Sequence, residues 1–407
     1  MTRWSASGVL LLAMLGSAIA AQSPGTVAIH VKETAGIRRS GYPAHATVTL
    51  PKGALPDAAN VRLLTSGKEV PGQFTATAKW PDGSVSTLDV DFNASLGPGE
   101  ESAFQLEYGA AVKAEATARG LTVTETAGTI QVGNVRFNKT AMPLLASVNY
   151  RQEDIGPGPN GFTIVDTSGV SYDLSRAESV KVEILKRGPL FVVIRYSGQM
   201  RLDGDVRLPF TVLVEMPNSK SWWKATASFD DAPKRVQSIA FHSPLSLGAF
   251  PWLWDFGTGS WSYGSFRNKT DSVIFRQTVT SASAPRKAAP YTASGKWEIA
   301  TGPKGQEQPY EIAAGRRAGV AEGWGHLQDA KEAIAFAVDG FGREAGTYTM
   351  AFDGEGHTTV QLVPAKPGLR LELAVYQHFV AMPVPIGAVT SPVSMLSPLE
   401  VTVAKAK

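Results

Sequence analysis

Along most of the chain, apolar and polar residues alternate with period two or fall in short β-branched runs, with Gly, Pro, Asn and Asp between them. Segments 26–31 (TVAIHV), 46–50 (ATVTL), 85–92 (VSTLDVDF), 121–126 (LTVTET) and 129–137 (TIQVGNVRF) read this way. So do 179–185, 190–196, 208–215, 359–363, 369–375 and 399–403. Strand-like runs about every ten residues predict an all-β protein. Asp203-Gly204, inside RLDGDVRL, predicts a hairpin turn between two of the strands. Helical signals are few. Segment 110–118 is Ala-rich and short, and reads as a linker; 328–338 is expected as a strand preceded by a turn; 281–289 (SASAPRKAA) is expected as a surface loop. The chain then divides into a small β-barrel-like domain over 22–115 and a large β-sandwich over 118–405.

The first residues break the pattern. Arg3 precedes a short apolar run at 8–16 (GVLLLAMLG), and small residues at Ala18 and Ala20 follow. This predicts a signal peptide over 1–21, cleaved after Ala20 or Ala21, and a secreted or periplasmic protein. No later stretch approaches the ~20 apolar residues of a membrane helix, so no membrane span is expected in the mature form. Hydrophobic residues make up 43% and charged residues 18%, which supports real cores and argues against disorder. With 39 basic and 36 acidic residues the net charge of +3 is too even to propose a nucleic-acid partner. The absence of cysteine removes disulfides, thiolate metal sites and a cysteine nucleophile. Export without disulfides points to a bacterial protein.

Between 27 and 108 the chain carries a particular layout: 31–39 (VKETAGIRR), Tyr42-Pro43, 50–55 (LPKGAL), 70–74 (VPGQF), 79–85 (KWPDGSV) and 88–92 (LDVDF). Within it, Trp80-Pro81-Asp82-Gly83 reads as a tight turn with an aromatic lid. The layout resembles the N-terminal RIFT-type β-barrel domain of the exo-rhamnogalacturonan lyase and YetA-like family. Segments 186–190 (KRGPL), 192–195 (VVIR) and Leu208-Pro209-Phe210 through Trp222-Trp223 are similar to its second, sandwich-like domain, and Gly323-Trp324 with Asp329 and the apolar run 333–338 resembles a further element of the family. The resemblance implies a polysaccharide or oligosaccharide partner. In the family's lyases a helical toroid follows and holds the catalytic groove. No such module precedes Lys407, which favours a binding or accessory role over an active lyase or hydrolase.

The densest unusual composition is 250–266 (FPWLWDFGTGSWSYGSF). Flat aromatic faces stack on sugar C–H faces while Asp and Arg bind hydroxyls, so Trp252, Trp254, Asp255 and Trp261 are candidate sugar contacts, with Trp324 and His326. The other reading is a hairpin whose alternate rings pack one sheet face while the glycines turn the chain. Both stand at this point. Adjacent rings Trp222 and Trp223 point to opposite faces of a strand, so one belongs to a core and only the other can reach a ligand. Among six histidines, His242 is the first candidate for a base, followed by His326 and His378. A uronate lyase can be written with His242, Tyr263 and Arg267, and a hydrolase with Asp255 and either Asp230 or Asp231. No HxH or HExxH pair and no EF-hand loop exists, so no metal or other cofactor is expected; Glu153-Asp154 with 156–161, and Asp203 with Asp205, read as solvated turns.

Overall fold

A computed structural model describes residues 24–115, 119–150, 153–155, 160–244, 250, 253–259, 261–283, 292–310, 318–380 and 391–406. The signal peptide expected over 1–21, Trp252, 284–289 and most of the 156–161 turn lie outside these residues, as do the side chains of Glu153, Asp154 and Trp261. The fold is all-β. Among the described residues no helix is long and apolar enough to cross a membrane.

The N-terminal unit packs a five-stranded and a three-stranded antiparallel sheet around one core. Alternation sets the inward set: Val27, Ile29 and Val31 of strand Gly25–Lys32 are buried, as are Leu88, Val90 and Phe92 of Val85–Leu96. The WPDG segment forms the expected tight turn. Gly83 donates to the Trp80 carbonyl at 2.9 Å with φ +88°, and the half-exposed Trp80 ring anchors through Nε1 on the Leu50 carbonyl. The last strand, Glu400–Val403, pairs antiparallel with Gly25–Lys32, Ile29 opposite Val403. This strand therefore completes the first unit rather than the sandwich expected to run to 405. The preceding helix, Ser391–Leu396, is clasped by buried Arg39, which donates to the Ser394 and Ser397 carbonyls and pairs with Glu33 at 3.2 Å.

The second unit is a sandwich of an eight-stranded and a nine-stranded sheet. Their inner faces meet through rings: Phe256 stacks on Phe275 and on Phe352, both at 5.2 Å, and Trp223 meets Phe241 at 6.2 Å. Burying a phenylalanine this completely stabilises by about 1.5–3 kcal/mol. A smaller five-stranded sheet closes one end, Phe137 lying edge-on to Trp223 at 5.5 Å. The Asp203–Asp205 turn joins two long strands as expected, with Gly204 at φ +74°. The 328–338 region begins at the end of strand Trp324–Gln328. A turn follows, in which Asp329 accepts the Lys331 and Glu332 amides, and then strand Ala333–Asp339.

Candidate functional site

Trp222 and Trp223 show how the two units meet. Both are buried, but on opposite faces of strand Trp222–Asp230: Trp223 enters the sandwich core and Trp222 joins the barrel core with Tyr42, Trp324 and Ala337. Around Trp222 the outer face of the nine-stranded sheet is thus covered by the barrel, where the sequence alone leaves one ring free for a ligand.

A cavity opens at this seam, and a second, walled by the sandwich and its small sheet, adjoins it. One cavity of about 140 Å³ is lined by Tyr42, His45 and Asp91 of the barrel and by Phe191, Glu215, Lys224 and Tyr376 of the sandwich. A second, about 420 Å³, is lined by Asn134, Lys220 and Ser221; Pro217 and Trp222 line both. Sites at domain seams with a few fixed polar groups among rings are common for small ligands. Lys186 reaches Asp89 at 2.9 Å and Asp91 at 3.2 Å, and His45 Nδ1 lies 2.8 Å from Asp91. Burial pushes the Asp89 carboxyl up, but Lys186 and the Thr47 hydroxyl more than offset this and hold it below the usual range. Lys224 pairs with Glu215 at 2.8 Å and lies 5.5 Å from the Tyr376 ring centre. Burial raises the Tyr376 phenol and pushes Tyr42 up to about 12, so both stay protonated donors. Tyr42 donates to the Ser394 carbonyl, whereas half-buried Tyr376 has no hydrogen-bond partner among the described residues. Lys220 lies over the Tyr42 and Trp222 rings and donates to the Ser40 carbonyl, with no carboxylate partner among the described residues.

The residues singled out from sequence fall elsewhere. Strands Leu253–Gly257 and Trp261–Ser265 form a hairpin at the edge of the nine-stranded sheet. Trp254 is fully buried there, so its expected sugar stacking gives way to core packing. Two of the glycines expected to turn the chain make room for indoles instead: a Cβ on Gly264 would lie 2.2 Å from the Trp254 ring, and one on Gly257 2.1 Å from the Trp324 ring. Trp324 is itself buried, its Nε1 donating to Glu322 at 2.7 Å. Asp255 and His326 are sealed as a pair at 2.9 Å, which removes them as surface sugar contacts. His242 sits on the other sheet between Thr163 and Thr359, at 2.8 and 3.1 Å, apart from the hairpin that carries Tyr263. Tyr263 and Arg267 are exposed. Asp230 is exposed and Asp231 is buried, accepting the Arg235 and Val236 amides. The groove residues carry little signal in the sequence because they come from strands far apart along it; only Tyr42-Pro43 and Trp222 stand out.

No protein-family model matches the chain, and no curated protein matches it by sequence. Its backbone is similar to that of solved carbohydrate-active enzymes. An alpha-mannosidase from Enterococcus faecalis V583 aligns over 93% of this chain and 46% of that one, at 9% identity and a TM-score of 0.54. A protein in the glycosyl hydrolase family 38 from Enterococcus faecalis aligns over 93% and 47%, at 9% identity and a TM-score of 0.55. The chain spans less than half the length of these two, and at this identity the likeness is one of fold. The likeness is to the β architecture and does not single out the lyase family of the sequence resemblance.

Proposed function

We propose that the protein is exported and binds polysaccharide in the groove between barrel and sandwich, retaining it without cleavage. The observation that carries this is the Tyr376 phenol, unpartnered among the described residues, beside Lys224–Glu215 and the half-buried Phe191 ring. Sugar hydroxyls both donate and accept, and fixed ion pairs offer both roles; ring faces accommodate sugar C–H groups. Lys220, a cation without a carboxylate partner among the described residues, favours an acidic sugar. The β fold shared with carbohydrate-active enzymes is in keeping with this reading.

Calorimetric titration with oligogalacturonides and with neutral oligosaccharides tests it. Tyr376→Ala is expected to weaken binding about tenfold, roughly 1.4 kcal/mol, and Lys220→Met to weaken the acidic ligand selectively. Unchanged affinity in both variants removes the groove as the site. Ultraviolet absorbance from an unsaturated uronate product would replace retention with elimination chemistry.

A further inference from the structure

Strand register sets Tyr263, Asp255, His326, Ala335, His378 and Trp222 in one row across the outer face of the nine-stranded sheet. Sugar binding in the groove does not use the middle of this row. His326 Nδ1 faces Asp255 Oδ1 at 2.9 Å, and His378 Nε2 faces Ser221 Oγ at 2.6 Å. Each ring is therefore held from its outer flank, His326 by the strand on one side and His378 from the other. The opposite nitrogens, His326 Nε2 and His378 Nδ1, are buried and have no hydrogen-bond partner among the described residues. Both residues are more than nine-tenths buried. Between their strands stands Ala335, which offers only a methyl group. Neighbouring strands lie about 4.8 Å apart, so the two backbones are roughly 10 Å apart, a span that two inward-turned imidazoles largely close.

A buried nitrogen without a partner is unfavourable, and two of them flanking one gap call for a bridging group. We propose that His326 Nε2 and His378 Nδ1 together hold a divalent transition-metal ion of the zinc class, with water in its remaining positions. Imidazole nitrogen suits such ions. Asp255 behind His326 reproduces the carboxylate–histidine–metal arrangement, which fixes the tautomer and leaves Nε2 bare for the ion. No spaced histidine pair announces the site, because its ligands lie 52 positions apart (378 − 326) and are joined only by register.

The test uses the untagged full chain, stripped with chelator and titrated with Co(II), then Zn(II). One equivalent is expected to bind, with a visible Co(II) band that Zn(II) displaces and a raised melting temperature. His326→Ala and His378→Ala abolish the band, and Asp255→Asn weakens affinity by about 10–100-fold. Ala335→Val, which fills the gap without touching a ligand, also abolishes binding, with circular dichroism confirming the fold. Absence of stoichiometric binding by the wild-type chain, leaving water as the bridge, overturns the proposal. So does unchanged binding in the His326→Ala/His378→Ala double variant.

Discussion

Where the barrel covers the nine-stranded sheet, both of its faces are buried, yet they are built differently. The inner face is mainly rings and aliphatic groups, with Trp223, Trp254, Phe256 and Phe336 in the sandwich core and Gln377 as a polar exception that donates to Ser243 of the other sheet. The outer face carries Asp255, His326, His378 and Lys224 and is covered by the barrel around Trp222 and Trp324. Alternation decides which side a residue faces; it does not decide what lies there. On the outer face polar residues are kept because they pair with one another, so burial there depends on partners as well as on packing.

The largest expected effect is on the inner face. Trp254→Ala should cost about 3–5 kcal/mol in urea unfolding. A loss no greater than that of Tyr263→Ala would break the comparison. Next come the glycines that admit an indole on each face: Gly264→Ala on the inner side and Gly257→Ala on the outer are each expected to cost about 1–3 kcal/mol through overpacking. Similar losses show that the two faces are equally tight.

A smaller, pH-dependent effect sits on the other sheet. Burial holds the His242 imidazole below its ordinary value of 6.5. The unfolded chain takes up a proton near that value and the folded chain only at lower pH, so stability falls as pH drops below 6.5. His242→Gln should flatten that slope in denaturation midpoints. Tyr263→Ala, at an exposed sheet edge, is expected to change stability least, by under about 1 kcal/mol.

Much of the architecture was legible. Alternation found the strands, Asp203-Gly204 marked a hairpin, and the WPDG turn forms around Gly83. Trp222 and Trp223 point apart as strand geometry requires. What sequence could not show was coverage: nothing local to Trp222 says that a barrel lies over it. The hairpin over 253–265 is one of the two readings the sequence offers, but the purpose of the glycines at 257 and 264 was hidden for a related reason, since it is set by rings on a neighbouring strand. The groove was hidden likewise, its walls coming from residues as distant as Tyr42 and Tyr376.

The pairing of Glu400–Val403 with Gly25–Lys32 has a consequence for how the molecule matures. As the polypeptide emerges from its N-terminal end, the first unit must wait with one sheet edge open until the sandwich has been delivered in full. Closing so long a loop is late and entropically demanding, so the barrel's completion reports that everything between its first and last strands has arrived.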